Sequence, residues 1–332
     1  MRETDEGRTD TAEQRLDLAQ ARRRASLTHA YGPVIDELLS DPAVTDIMRN
    51  ADGNLWCVKH GRGRFKVGEL SAQRAESLVR QIASHMGADA TRAQPTVSGI
   101  LPGTNARFQG VLPPVSQQPI FAIRKPAQVV YTLDDFVRDE ILSVRGADAL
   151  RRAIESRENL LIAGSTGSGK TTLGNACLAE PAFCRDRIVL IEDTRELQCS
   201  AEDRVELVAP PLLPNMPMEE LVRTTLRLFP GRIVIGEVRG PEALTMVKAW
   251  GTGHPGGLCT IHANSHRDAL YRLEDLIGEV TVTMPRRSIV RAVNLIAFIE
   301  RDPSNAAGRR VTGMTRPALG TNGDYVFEDL EM

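Results

Sequence analysis

Aromatic residues make up only 4% of this 332-residue chain, too few to stack the bases of a single-stranded nucleic acid along a groove. Neither sign of charge is in excess. Forty-one Lys and Arg stand against 43 Asp and Glu, which argues against a protein that coats DNA or RNA. Cysteine is sparse and odd in number. Cys57, Cys177, Cys184, Cys199 and Cys259 contain no Cys-x-x-Cys pair, so neither a zinc site nor a disulfide framework is expected, and free thiols in a reducing cytosol are. No apolar run nears the ~18 residues that would cross a bilayer. The first ten residues are polar and acidic, so no secretory signal is expected. Arg22-Arg23-Arg24 reads as the solvated face of a helix.

What the chain does have is a phosphate-binding loop. Gly164-Ser165-Thr166-Gly167-Ser168-Gly169-Lys170-Thr171 follows the apolar run Leu160-Leu161-Ile162-Ala163. A buried strand, a Gly-rich turn and a helix opening near Lys170 make the geometry that this pattern needs. Its glycines let successive N–H groups turn into one concavity, and the helix N-terminus adds partial positive charge, so a polyphosphate is favoured. Lys170 is expected to reach the β- and γ-phosphates, Thr171 to ligate Mg²⁺, and Thr172 to join the nucleotide-binding residues. ATP and Mg²⁺ are thus the expected substrate and cofactor.

The length allows two domains. Residues 1–12 read as a disordered lead and 13–126 as a smaller α+β domain. In that domain a helix is expected over 13–40, two short strands around the turn at 50–53, a helix capped by Ser71 and stopped by Gly87, and strands and turns from 96 to 125. Residues 127–143 read as a linker with a short helix near Leu133. From 144 to 332 strands and helices alternate, implying an α/β fold with a mainly parallel sheet covered on both faces. Its strands are expected at 159–163, 187–192, 232–236, 258–262 and 295–300, with a closing hairpin near Thr321-Asn322-Gly323.

Hydrolysis needs a base near the γ-phosphate. Ligands of open α/β sheets bind at the carboxyl ends of strands. Arg232-Ile233-Val234-Ile235-Gly236-Glu237 ends there in Glu237, and Ile188-Val189-Leu190-Ile191 delivers Glu192 and Asp193 to the same edge. One carboxylate polarising water and another supporting Mg²⁺ is a sensible division, with Glu237, Glu192 and Lys170 as the catalytic set. Gly236 stands where an Asp commonly helps to hold the metal, so the metal is expected to lean on Thr171 and water. His262 follows the strand Leu258-Cys259-Thr260-Ile261, and His254 precedes it by eight residues. Either imidazole, if neutral, can report the γ-phosphate by donating a hydrogen bond.

Taken in order, the phosphate loop, Ile191-Glu192-Asp193-Thr194-Arg195-Glu196-Leu197, the run Leu226 to Gly240 and the run Gly251 to Asn264 resemble the four motifs of the secretion ATPase superfamily: Walker A, the Asp box, Walker B and the His box. Within it, Gly240-Pro241-Glu242-Ala243-Leu244 and Ala249-Trp250-Gly251-Thr252-Gly253-His254 look most like the conjugal-transfer (TrbB-type) branch of type IV secretion ATPases. The resemblance implies a RecA-like ATPase domain over 144–332, a nucleotide between the two domains, and a ring of six subunits. It implies a cytoplasmic motor, peripheral at the inner membrane, working with secretion-channel and coupling proteins. It also implies phosphate contacts from arginines of the first domain. The matching positions are Arg107 and Arg124, whose guanidiniums can clamp phosphate oxygens. Arg195 and Arg239, also within the motifs, rank behind them.

Three other functions compete. Type II secretion or pilus ATPases share the four motifs, but many carry a four-cysteine zinc module that this cysteine spacing cannot supply. A nucleic-acid translocase is disfavoured by charge and aromatic content. A ring component that binds ATP without hydrolysing it is disfavoured by the intact Lys170, Glu192 and Glu237.

Overall fold

The structure, a computed structural model, describes residues 31–59, 62–101, 104–126, 130–209 and 216–332. The expected lead at 1–12, the first part of the expected helix at 13–40 and residues 127–129 of the expected linker lie outside the described residues. The chain divides into two compact units, Met1–Gln128 and Val129–Met332.

In the first unit, residues 31–40 are helical (α1). Six strands follow: β1 (Val44–Arg49), β2 (Asn54–Lys59), β3 (Gly63–Glu69), β4 (Thr96–Ile100), β5 (Arg107–Val111) and β6 (Ile120–Arg124). They form one antiparallel sheet in the order β3-β2-β1-β6-β5-β4. Helix α2 (Ala72–His85) starts where Ser71 accepts a hydrogen bond from the Arg74 N–H, as the Ser71 cap predicts. Its apolar stripe, Leu78, Val79 and Ile82, shares one core with Ile47, Phe108 and Ile123 of the sheet. Strand alternation therefore sends one side chain of each pair into this core and the next outward.

The second unit opens with α3 (Leu133–Arg138) and α4 (Val144–Glu155), each capped by a hydroxyl, Thr132 or Ser143. Then come β7 (Leu160–Ala163), α5 (Lys170–Leu178), α6 (Pro181–Cys184), β8 (Ile188–Glu192), β9 (Arg204–Val208), α7 (Met218–Thr225), β10 (Arg232–Val238), α8 (Glu242–Gly251), β11 (Leu258–Ile261), α9 (Asp268–Gly278), α10 (Arg286–Ala292), β12 (Leu295–Arg301), β13 (Arg309–Leu319) and β14 (Tyr325–Asp329). The sheet order is β14-β13-β12-β7-β11-β10-β8-β9. Strands β12 to β9 along that order run parallel, and β13 and β14 form the closing hairpin.

Both faces of this sheet are covered, which explains why its strands are continuous apolar runs. Leu160 and Ile162 of β7 join one core with Leu173 and Cys177 of α5. Leu161 and Ala163 join the other with Met246 and Trp250 of α8. Strands β3 and β9 escaped the sequence reading because they sit at sheet edges and carry alternating exposed residues rather than a buried run.

One buried charge anchors the strand that carries Glu237. At the amino end of β10, Arg232 is 2% exposed. Its Nε lies 2.6 Å from Asp186 Oδ2, its other nitrogens donate to the carbonyls of Ile154, Gly256 and Ala182, and its guanidinium stacks on Phe183. Asp186→Ala strips the counter-ion from this cation and is expected to lower unfolding stability by about 3–5 kcal/mol, read from urea denaturation. A loss below about 1 kcal/mol, the range of an exposed ion pair, would contradict this role.

Candidate nucleotide site

The site forms where four parallel strands end. Ala163 closes β7, and the loop 164–169 then turns into α5. Gly164 stands where no side chain fits: a Cβ there would lie 2.2 Å from the Ile299 carbonyl oxygen and 2.6 Å from Ser168 Oγ. Gly169, at φ +108°, holds the left-handed turn that starts the helix. Ser168 Oγ is buried without a hydrogen-bond partner, a polar atom turned into the loop itself.

Lys170 is only 7% exposed. Its ammonium donates to the carbonyls of Gly164 (3.0 Å) and Ser165 (3.1 Å) and to His262 Nδ1 (3.2 Å). Burial holds its pKa below the ordinary value, while the Glu237 carboxylate pulls the other way. The accepting role of Nδ1 leaves the His262 proton on Nε2. Burial also lowers the His262 pKa, which favours the neutral ring.

His262 reaches this place by register. Ile261 pairs with Ala163, and the Gly164 N–H donates to the Ile261 carbonyl, so the residue after β11 lies beside the loop. The same register overturns the expectation for His254. Leu258 pairs with Leu160 at the other end of these strands. His254 precedes β11 by four residues and therefore belongs to the amino edge of the sheet, opposite the loop. Eight residues of separation straddle a strand, and a strand carries its two ends to opposite edges.

Glu237 sits in an irregularity of the β10–β11 pairing between Ile235 and Val238. Such a break re-aims a side chain, and Thr260 Oγ1 fixes it by donating to the Gly236 carbonyl at 2.6 Å. Glu237 Oε2 accepts from Arg239 at 2.7 Å. Glu237 Oε1 lies 2.8 Å from His262 Nε2, but out of line for a hydrogen bond, and is buried without a donor. Arg239 also reaches Asp193 at 2.8 Å, and its pKa is raised, chiefly by the bond to Glu237. A continuous polar chain thus runs Lys170–His262–Glu237–Arg239–Asp193.

Glu192 is 5% exposed and faces differently. Its Oε1 accepts the backbone N–H groups of Glu196 (3.0 Å) and Leu197 (2.8 Å), fastening the loop after β8. Burial pushes its carboxyl up to about 7, against the pull of those two hydrogen bonds. The glycine at 236 now has a packing reason: a Cβ there would stand 3.0 Å from Glu192 Cγ. Glu192 fills the space that an aspartate at 236 would need. The same loop brings Glu196 Oε2 to 3.5 Å from Thr171 Oγ1, and Asn175 ties that loop to α5 at the Glu196 carbonyl and the Gln198 N–H. Glu196 lies inside a quoted motif, yet nothing in the pattern marked it as the acid nearest Thr171. Thr172 lies in the first turn of α5, half-buried, and Arg195 is exposed on the loop after β8.

Arg107 and Arg124 belong to the first unit, where they face each other directly across β5 and β6. Asp46 is opposite Arg124 on β1 and pairs with it at 2.9 Å. Like charges opposed across strands repel, and Asp46 offsets the Arg124 side of this pair.

A strand, a glycine turn, a buried lysine and a neighbouring carboxylate with one unclaimed oxygen are the parts of a phosphate-transfer site. A family model described as Type II/IV secretion system protein matches residues 32–308. The chain belongs to this family. A probable conjugal transfer protein TrbB of Sinorhizobium fredii is 41% identical over 304 residues, covering 91% of this chain and 92% of its own. The conjugal transfer protein TrbB of Rhizobium radiobacter is 42% identical over 287 residues, covering 86% and 87%. Among solved structures, the Legionella pneumophila ATPase DotB has a similar fold, with a TM-score of 0.57 at 17% identity over 89% of this chain and 79% of that one. Membership and geometry together make the chain a secretion ATPase.

Glu192 gives a pH signature. Its carboxyl titrates at about 7 in the folded chain against an ordinary 4.5. Between those values the unfolded chain has lost this proton and the folded chain keeps it, so the contribution of Glu192 to stability falls as pH rises from about 4.5 to 7. Glu192→Gln removes the titration. The variant is expected to gain thermal stability relative to the parent on going from pH 5 to pH 8. A difference in melting temperature that does not change with pH would contradict a buried, proton-holding Glu192.

Proposed function

We propose that the chain hydrolyses Mg-ATP at the loop between β7 and α5 and, as a ring of six RecA-like domains, powers transfer through a type IV secretion or conjugation machine. The observation that carries this reading is Lys170: a buried ammonium with no carboxylate within 4 Å among the described residues, resting on two loop carbonyls and a neutral histidine. A terminal phosphate offers this cation a stronger, charge-assisted partner than either carbonyl.

The chemistry follows from the neighbours. Glu237 Oε1 accepts the proton of the attacking water, while Arg239 holds the other carboxylate oxygen in place. His262 donates Nε2–H to the γ-phosphate and loses that bond when the phosphate leaves. Glu192 holds the loop that carries Glu196 beside Thr171. Among the described residues no group of three or more His, Cys, Asp or Glu forms a metal cage. Mg²⁺ is commonly held by one or two protein oxygens, phosphates and water. Thr171 and Glu196, whose side chains lie 3.5 Å apart, would hold the ion, which would supply charge neutralisation for the phosphates.

The named relatives favour conjugal transfer and type IV secretion: besides the two TrbB proteins, the type IV secretion protein PtlH of Bordetella pertussis is 33% identical over 312 residues. No helix among the described residues is long and apolar enough to cross a membrane. We place the ring in the cytoplasm, held to the inner membrane by channel and coupling proteins.

Replacing the base tests this reading. Glu237→Gln is expected to lower kcat for Mg-ATP by about 10²–10⁴-fold while Mg-ATP still binds. Equal turnover in parent and variant would refute the assigned base.

A further inference from the structure

Two arginines missed by the sequence reading lie against the phosphate loop. Arg301 ends β12 and donates Nη2 to the Thr166 carbonyl at 3.3 Å. Arg309 begins β13 directly opposite it. A Cβ on Gly167 would lie 2.7 Å from Arg301 Nη2, and one on Gly169 would lie 2.8 Å from Arg309 Nη1. The two guanidiniums therefore press on the loop at its second and third glycines. Neither has a carboxylate within 4 Å among the described residues. Asp302, next to Arg301 in the chain, is taken by Arg310 at 3.0 Å and by Ser304.

Sheet order gives this pair a direction. Strand β7, which feeds the loop, lies between β11 and β12. His262 and the Lys170–Glu237 chain stand on the β11 side, and Arg301 and Arg309 on the β12 side. A triphosphate with its terminal phosphate at Lys170 and His262 runs across the loop, so its innermost phosphate lies on the β12 side. Resting on the nucleotide reading above, we propose that Arg301 and Arg309 bind the α-phosphate of ATP, neutralising the charge that Lys170 leaves unmatched.

Two like charges on facing residues of adjacent strands repel each other, and Arg309, half-buried, is pushed below its ordinary pKa by burial and then by Arg301. An anion shared between them relieves both costs. Because the α-phosphate does not change during hydrolysis, this contact is uniform binding: its loss weakens ground state and transition state alike.

The test is titration calorimetry of the full chain with Mg-ATP, Mg-tripolyphosphate and Mg-pyrophosphate. Arg301→Ala and Arg309→Gln are each expected to weaken ATP and tripolyphosphate about tenfold, the scale of one charge-assisted hydrogen bond. Pyrophosphate, which fills only the two subsites nearest Lys170, is expected to bind as to the parent. Arg301→Lys, which keeps the charge, is expected to recover most of the loss, and KM to rise with kcat unchanged. Pyrophosphate weakened in the same proportion would mean that the arginines merely prop the loop, and would overturn the proposal. So would unchanged ATP affinity, or a loss for ATP without one for tripolyphosphate. A parent that binds none of the three would instead remove the nucleotide reading on which this rests.

Discussion

A buried ammonium group with no carboxylate within 4 Å among the described residues organises the second unit. Lys170 is nearly removed from water, and its donors are spread over two backbone carbonyls and an imidazole. Burying a cation on such weak partners is costly. The cost is tolerated where a ligand supplies the missing charge, and the surroundings serve that end. Glycines at 164, 167 and 169 keep side chains out of the cradle. The parallel sheet aims the carboxyl ends of β7, β8, β10 and β11 at one edge, so one loop and three strand-end segments converge on it.

The polar chain from Lys170 to Asp193 gives this arrangement a way to act on its neighbours. Each link joins a different strand end: the loop after β7, His262 after β11, Glu237 on β10 and Asp193 after β8. A phosphate that draws Lys170 off the Gly164 and Ser165 carbonyls also changes what His262 faces. His262 in turn touches Glu237, and Glu237 shares Arg239 with Asp193. On the proposed reading, nucleotide occupancy is sensed across four strand ends through contacts of 2.7 to 3.2 Å. A motor needs such coupling between its fuel and its moving parts.

Much of this was legible in the sequence, and the misses have physical causes. Gly-rich turns and β-branched runs are local signals, so the phosphate loop, its flanking strand and helix, and the strands that end at Glu192, Glu237 and His262 could be read directly. Sheet polarity sorts two histidines that look alike in the sequence, and it put His254 at the wrong edge. Gly236 looked like a lost metal ligand, whereas Glu192 packs over it from the neighbouring strand. That contact joins residues 44 positions apart, which no local pattern reports. Glu196, Arg301 and Arg309 gain their positions only from how loops and the last hairpin fold back. Edge strands β3 and β9 lack the continuous apolar run that marks buried strands.

The most direct test of the central claim is a structure of the chain bound to Mg²⁺ and a slowly hydrolysed ATP analogue. The account predicts the terminal phosphate within hydrogen-bond reach of Lys170 Nζ and His262 Nε2, with Lys170 released from at least one loop carbonyl and a water facing Glu237 Oε1. A triphosphate bound elsewhere, or a Lys170 that keeps both carbonyls with the analogue in place, would contradict it.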